Sequence, residues 1–182
     1  MGAQVAIVAG AGGALGHATT ATLAAGGLTV VAADRSEHAL RDLPCGVRPE
    51  VADTTDPTAV KELIDRIAGE VGPPDVLVNT IGAFQPGDTL TSTPEALRLM
   101  IDVNLGPALW LTRILDVELR PQGIRVNAVA PQLLDTPTNR ATLPAGVMAH
   151  AVAPEAIAGV IAFLVSDAAT PVSGAVLPAY GA

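Results

Sequence analysis

A short apolar run, QVAIVA at Gln4–Ala9, empties directly into the glycine-rich VAGAGGALG of Val8–Gly16. That junction restricts the fold more than any other stretch. A short apolar run bounded by glycines reads as a strand buried on both faces, the habit of a parallel sheet. A helix follows from about Ala14, with Leu15, Ala18 and Thr22 at suitable spacing and Gly26 and Gly27 closing it. In that setting the free N–H groups of a helix N-terminus meet a pyrophosphate. Gly10 and Gly12 permit a tight turn with no Cβ between backbone and ligand, and Gly16 lets helix and strand approach. Gly13 and Leu15 complete the stretch expected to face the ligand. A tight strand-to-helix turn without a ligand is the plainer alternative.

The rest of the chain repeats the alternation. LTVVAA (Leu28–Ala33) is a second strand, after which Ser36 caps a short helix. VRPEVA is a third, demoted by Pro49 to a sheet edge. Asp56-Pro57 opens a helix whose buried stripe is Val60, Leu63, Ile64 and Ile67. DVLVN (Asp75–Asn79) is the fourth strand. Pro94 to about Arg120 is helical, with a bend at Gly106-Pro107. IRVNAVA (Ile124–Ala130) is a fifth strand, Pro154–Ser166 a helix and GAVLP a last strand. This order predicts one α/β domain over residues 1–182, a Rossmann-type doubly wound parallel sheet of six strands. Ligands in such sheets bind beyond the carboxyl ends of the strands.

Composition narrows the partners. The formal net charge is −8, which argues against nucleic acid or an anionic membrane surface. Residues 1–33 carry no Asp, Glu, Lys or Arg, yet Gly and Thr interrupt every apolar run well short of the roughly 18 residues a membrane span needs. A soluble, untargeted, cytoplasmic protein is expected. The single cysteine, Cys45, excludes an internal disulfide and suits a reducing compartment. Three histidines without ligand spacing predict no metal site.

Asp34 closes the second strand in VVAADR, roughly 20 residues after the glycines. A carboxylate there accepts hydrogen bonds from both adenosine ribose hydroxyls and repels a 2′-phosphate, which favours NAD(H) over NADP(H). Neighbouring Arg35 pulls the other way.

With these residues in place, the chain resembles the short-chain dehydrogenase/reductase family. VAGAGGALG, VADTTD, DVLVNTIGAF, MIDVNLGPALWLTR, RPQGIRVNAVAP, DTP and IAFLVSDAATPVSGAVLPAYG occur in the family's order and span nearly the whole chain. The resemblance implies a Rossmann fold that binds a nicotinamide dinucleotide. It also implies that Asp53 contacts adenine, and that Asn79 and Gly82 bound the family's Asn-Asn-Ala-Gly motif, here NTIG. Thr136 then approaches the nicotinamide end. Ala14 stands where the family usually has a glycine, a departure that a small residue tolerates.

The family's acid–base chemistry rests on Asn, Ser, Tyr and Lys. Asn104, in VNLG, matches the Asn. The only lysine is Lys61 and the only tyrosine is Tyr180, so the chain contains no Tyr-x-x-x-Lys. GPALWLTR, similar to the family's Asn-bearing helix, runs directly into ILDVELRPQGIRVNAVAP, which resembles the end of the following helix and its strand. One strand-plus-helix repeat of roughly 30 or more residues is therefore missing. Its loss leaves the crossovers right-handed and lets IRVNAV slide over to pair with DVLVN. Leu109, Leu111, Ile114, Leu115, Val117 and Leu119 supply apolar surface to the merged helix, with Arg113, Asp116 and Arg120 on its solvated side.

Asn104, Asp102 and Tyr180 remain as candidate catalytic residues, each with an ordinary structural role as the competing reading. Pro137–Pro154 corresponds to the family's substrate loop, and its apolar, Pro- and Gly-containing makeup suits a lid over an apolar small molecule. Three functions stay open. The leading one is a dinucleotide-binding family member with weak or lost hydride transfer, or a regulatory or partner subunit. The second is an isomerase, cyclase or lyase acting on a hydrophobic small molecule in the shaped cleft, with or without NAD bound as a scaffold. The third is a folded relic with no bound cofactor. A homo-oligomer is expected, although the family usually dimerises through the two helices merged here.

Overall fold

The computed structural model describes residues 3–83, 92–111 and 125–180. β1 (Val5–Ala9), β2 (Thr29–Asp34), β3 (Arg48–Val51) and β4 (Val76–Asn79) form a parallel sheet in the order β3-β2-β1-β4. β5 (Ala128–Pro131) and β6 (Val176–Ala179) pair in parallel as a second, two-stranded sheet. The helices are α1 (Ala14–Ala25), α2 (Pro57–Glu70), α3 (Pro94–Asn104), α4 (Pro137–Thr142), α5 (Ala145–Met148) and α6 (Pro154–Val165). Among the described residues six strands with intervening helices give the predicted α/β architecture, divided into a parallel four-stranded sheet and a parallel two-stranded one. As Pro49 predicts, β3 lies at the edge, where its missing N–H costs no ladder bond.

Successive residues of β1 point to opposite faces, and the core divides accordingly. Val5, Ile7 and Ala9 pack with Val60, Leu63, Ile64 and Ile67 of α2, so the predicted stripe is the buried one. Ala6 and Val8 pack instead with Leu23 of α1 and with Ile157 and Ile161 of α6. α6 lies along α1, and Val129 and Ala179 of the smaller sheet join this second cluster. Caps act where the sequence places them. Asp56 accepts from the Thr58 amide at 2.8 Å and Ser36 from the Ala39 amide at 3.4 Å.

The expected pairing of IRVNAV with DVLVN is corrected. Among the described residues no backbone ladder joins β4 to β5. The entry to β5 is fixed from the opposite side. Arg125 donates to the carbonyls of Ala169 and Val172, and Asn127 bonds Val172 O and the Ala175 amide, which binds this segment to the approach to β6. β5 itself begins at Ala128, four residues later than the sequence suggests.

The helix from Pro94 breaks at Leu105, next to the predicted bend, and residues 106–111 are again helical. Leu111 is fully buried against the α2 cluster, whereas Leu109 is 52% exposed, contrary to its expected burial. Arg113, Ile114, Leu115, Asp116, Val117, Leu119 and Arg120 lie outside the described residues. α3 buries none of its residues, and Leu97, Ile101 and Leu105 stand exposed at successive i, i+4 positions. Among the described residues no helix is long and apolar enough to cross a membrane.

Candidate functional site

Gly10 follows β1 with φ of +81°, a conformation that L side chains rarely adopt. Its amide and that of Ala11 both donate to Ala33 O, folding the turn back over the end of β2. A Cβ at Gly16 would stand 2.0 Å from Gly10 O, so α1 can meet the turn this closely only through glycine. A Cβ at Gly12 would fall 2.4 Å from the Ala39 Cβ and 3.0 Å from Asp34 Oδ2. Gly13 and Ala14 lie on the exposed side of the turn, and Leu15 packs partly into the second core cluster.

Asp34 ends β2 half-buried beside this turn. Its Oδ2 accepts from the Gly12 amide at 3.1 Å and its Oδ1 from the Ser36 amide at 3.0 Å. Each oxygen retains a further lone pair. Arg35 and Asp53 follow on the same edge, both exposed. Asp53 Oδ1 accepts from the Thr55 hydroxyl at 2.6 Å and the Thr55 amide at 3.0 Å. These bonds, helped by the charge of Arg35, hold its carboxyl below the usual carboxylate range.

Beyond β4 the motif residues close on one another. Asn79 Oδ1 accepts from the Ile81 amide at 3.0 Å. The Thr80 hydroxyl donates to Ala9 O at 2.8 Å, tying the end of β4 to that of β1. Gly82 faces Asn104, where a Cβ would come within 3.0 Å of Oδ1. Asn104 itself bonds both backbone groups of Ala83 and donates to Met100 O at 2.9 Å. Thr136 caps α4 by accepting from the Asn139 amide at 3.1 Å.

A groove of about 460 Å³ opens between the glycine turn and the other half of the molecule. Gly12, Gly13, Ala14 and His17 form one wall, Asp135, Pro137 and Arg140 a second, and Ala153, Pro154 and Glu155 a third. The groove therefore lies at the N-terminus of α1, where unpaired N–H groups favour an anion. Sequence reasoning missed His17, Asp135, Arg140 and Glu155. The one available signal was the pair of opposite charges, Asp135 and Arg140, straddling the Thr136-Pro137 cap.

The catalytic candidates do not converge. Asp102 is exposed on α3 and lines neither groove described here. Tyr180 is 54% exposed and opens onto a separate depression with Gln132, His150 and Val152. Asn104 is engaged by the β4 loop.

Residues 4–115 match the family described as short chain dehydrogenase, and residues 108–181 match that described as Enoyl-(Acyl carrier protein) reductase. The two matches overlap over residues 108–115, at the end of GPALWLTR and the start of ILDVELR, the point where the sequence predicts the merged helix. Cis-4-hydroxycyclohexanecarboxylate dehydrogenase of Sinomonas cyclohexanicum is 34% identical over 238 residues, covering 98% of this chain and 95% of that protein. A match longer than the 182 residues available means that the relative carries several dozen residues with no counterpart here. Two solved structures share the fold. One, titled Ribose-5-phosphate Isomerase from Brucella melitensis 16M, is 22% identical and superposes with a TM-score of 0.87 over 98% of this chain and 92% of its own. The other, the F189W Actinorhodin Polyketide Ketoreductase with NADPH, is 21% identical, with a TM-score of 0.85 over 98% and 96%. Matched by its family across more than half its length, and in order across almost all of it, the chain belongs to the short-chain dehydrogenase family of oxidoreductases.

Proposed function

We propose that this protein binds a nicotinamide dinucleotide along the carboxyl edge of the larger sheet, prefers NAD(H), and has weak or lost family-type hydride transfer. The observation that carries the reading is the Asp34 carboxylate fixed against the Gly12 amide, beside a turn that side chains at Gly12 and Gly16 would fill. Asp34 has further lone pairs for ribose hydroxyls and a charge that opposes a 2′-phosphate. The first turn of α1, at Ala14 and Leu15, offers backbone N–H groups to the diphosphate, while the amides of Gly12 and Gly13 are spent on Asp34 and on Gly10 O. Asp53, Asn79 and Gly82 lie at or just beyond strand ends and Thr136 caps α4, the positions that the family's pattern gives to contacts with adenine, ribose and the nicotinamide end. The nicotinamide ring supplies hydride exchange when bound.

The proton is the difficulty. A carbonyl reduction needs a donor at the developing alkoxide, and general acid–base help contributes typically about 10²–10⁴-fold. No Tyr-x-x-x-Lys exists in the sequence. Both amide hydrogens of Asn104 are directed to carbonyls, and the Thr80 hydroxyl is directed to Ala9 O. Tyr180 faces a different depression. A small-molecule substrate, apolar to suit the Pro137–Pro154 segment, and a homo-oligomer built on the exposed apolar row of α3 complete the reading.

Calorimetric titration with NAD, NADH, NADP and NADPH tests it, using wild type, Asp34→Ala and Gly12→Val. Saturable binding that favours the forms without a 2′-phosphate, weakened in both variants, is expected. Absence of heat at millimolar cofactor would overturn it. A parallel absorbance assay against secondary alcohols and ketones should give turnover at least about 10²-fold below a member with the complete set.

A further inference from the structure

The groove beside the glycine turn has an unusual charge pattern for a diphosphate subsite. Two of its lining side chains, Asp135 and Glu155, are carboxylates, and Arg140 is the one Arg or Lys among the described lining residues. Arg140 is held within its own segment. Its Nε donates to Asp135 Oδ1 and its Nη2 to Asp135 Oδ2, each at 2.5 Å, in a two-pronged pair. The pair bridges the Thr136 cap and sits at the surface, with side-chain exposures of 66% for Arg140 and 30% for Asp135. The pair is open to solvent and screened by it, so a diphosphate of higher charge can compete with Asp135 for the guanidinium. Three of the five guanidinium hydrogens remain for other acceptors.

The geometry points to Arg140 as an exchangeable diphosphate clamp that Asp135 holds in reserve: it pairs with Asp135 across the groove wall, and a dinucleotide whose diphosphate lies at the first turn of α1 competes for the same guanidinium. This rests on the dinucleotide reading above and adds to it a residue that sets affinity. A diphosphate entering the groove meets repulsion from Asp135 and Glu155, which the N-terminus of α1 opposes only within its first turn. A guanidinium matches phosphate oxygens in the same fork geometry that it uses for a carboxylate. Asp135 therefore competes with the ligand for one cation.

Competition makes a prediction that mutual support does not: removing the two partners has opposite effects on binding. The experiment is calorimetric titration of wild type, Arg140→Gln and Asp135→Asn with NAD, ADP and adenosine, with thermal unfolding of each variant alongside. Arg140→Gln should weaken NAD and ADP about tenfold, the scale of one charge-assisted hydrogen bond, and leave adenosine unchanged. Asp135→Asn should tighten NAD and ADP about two- to fivefold, by removing both the competitor and a repulsive charge. Both variants should unfold at slightly lower temperature, since both lose the pair. If both move NAD affinity in the same direction, or Arg140→Gln weakens adenosine as much as ADP, the clamp is overturned while dinucleotide binding stands. If wild type binds none of the three probes, the dinucleotide reading fails and the clamp with it.

Discussion

Asn104 Oδ1 accepts from the Ala83 amide at 3.1 Å while its Nδ2 donates to the Ala83 carbonyl at 3.0 Å, so one side chain satisfies both backbone groups of a single residue. With its third bond to Met100 O, the amide ties the loop after β4 to α3. Asn104→Ala should lower stability by about 1–2 kcal/mol, the worth of a few partly exposed hydrogen bonds. Asn104→Asp keeps one acceptor but turns a carboxylate towards two carbonyls, so it should cost at least as much. Urea unfolding of both variants measures this. An Asp variant as stable as wild type would mean that the loop is held by other contacts.

Among the described glycines Gly16 is the one least able to accept a side chain. An added methyl would lie 2.0 Å from Gly10 O and 2.8 Å from the Ala11 Cα, both backbone atoms. Gly16→Ala must push α1 away from the turn, at a cost of about 1–3 kcal/mol, the usual range for forced overpacking. Glycines with open space, such as Gly159, serve as controls. Gly159→Ala should be neutral or slightly stabilising, by up to about 1 kcal/mol, because alanine is the better helix former. Thermal unfolding of the two variants should therefore separate them clearly in opposite directions.

Acid should destabilise the carboxyl edge selectively. Asp53 is held below its usual range by Thr55 and Asp135 by Arg140. A carboxyl whose folded value is depressed contributes stability that is complete above its unfolded value, near about pH 4, and lost as pH falls through the folded one. Thr55→Val removes the strongest of the bonds that depress Asp53. The variant should be less stable than wild type at pH 7, and the gap should narrow as pH drops below about 4. Chemical denaturation at a series of pH values checks the sign. A gap that widens towards acid contradicts it.

The exposed row of α3 should report on self-association. Leu97 and Ile101 are 62% and 48% exposed on one helical face, continued by Leu105. A second copy that covers this face would remove apolar surface worth about 25 cal/mol per Å² from water. Leu97→Glu combined with Ile101→Glu should reduce the solution mass to that of a monomer while preserving helical content. Sedimentation that shows the same mass for wild type and variant places the interface elsewhere.

Local chemistry made much of this fold legible. Asp56-Pro57 and the Val60, Leu63, Ile64, Ile67 stripe specified α2, because cap and periodicity agree within one segment. Pro49 marked an edge strand for a reason confined to its own ring. The glycine turn was legible for the same reason, since Gly10, Gly12 and Gly16 answer to steric demands a few residues away. Contacts between distant segments were not legible. Nothing in IRVNAV distinguishes pairing with β4 from attachment to the β6 side through Arg125 and Asn127. Leu109 and Leu111 are chemically alike, and only the packing of the assembled sheet decides which one is buried. Nothing near Arg140 in the sequence places it in one groove with Gly12, more than 100 residues away.

The attachment of β5 and β6 has a mechanical consequence. A two-stranded sheet is marginal alone, so this one depends on α6 lying along α1 and on the side chains of the second core cluster. Hydrogen-bonded ladders resist sliding by whole residues, whereas packed helices shear past one another in small continuous steps. The near wall of the groove belongs to α1, and another to the start of α6. Among the described residues no backbone ladder joins the two sheets, so a slip plane of aliphatic side chains between α1 and α6 governs the width of the groove.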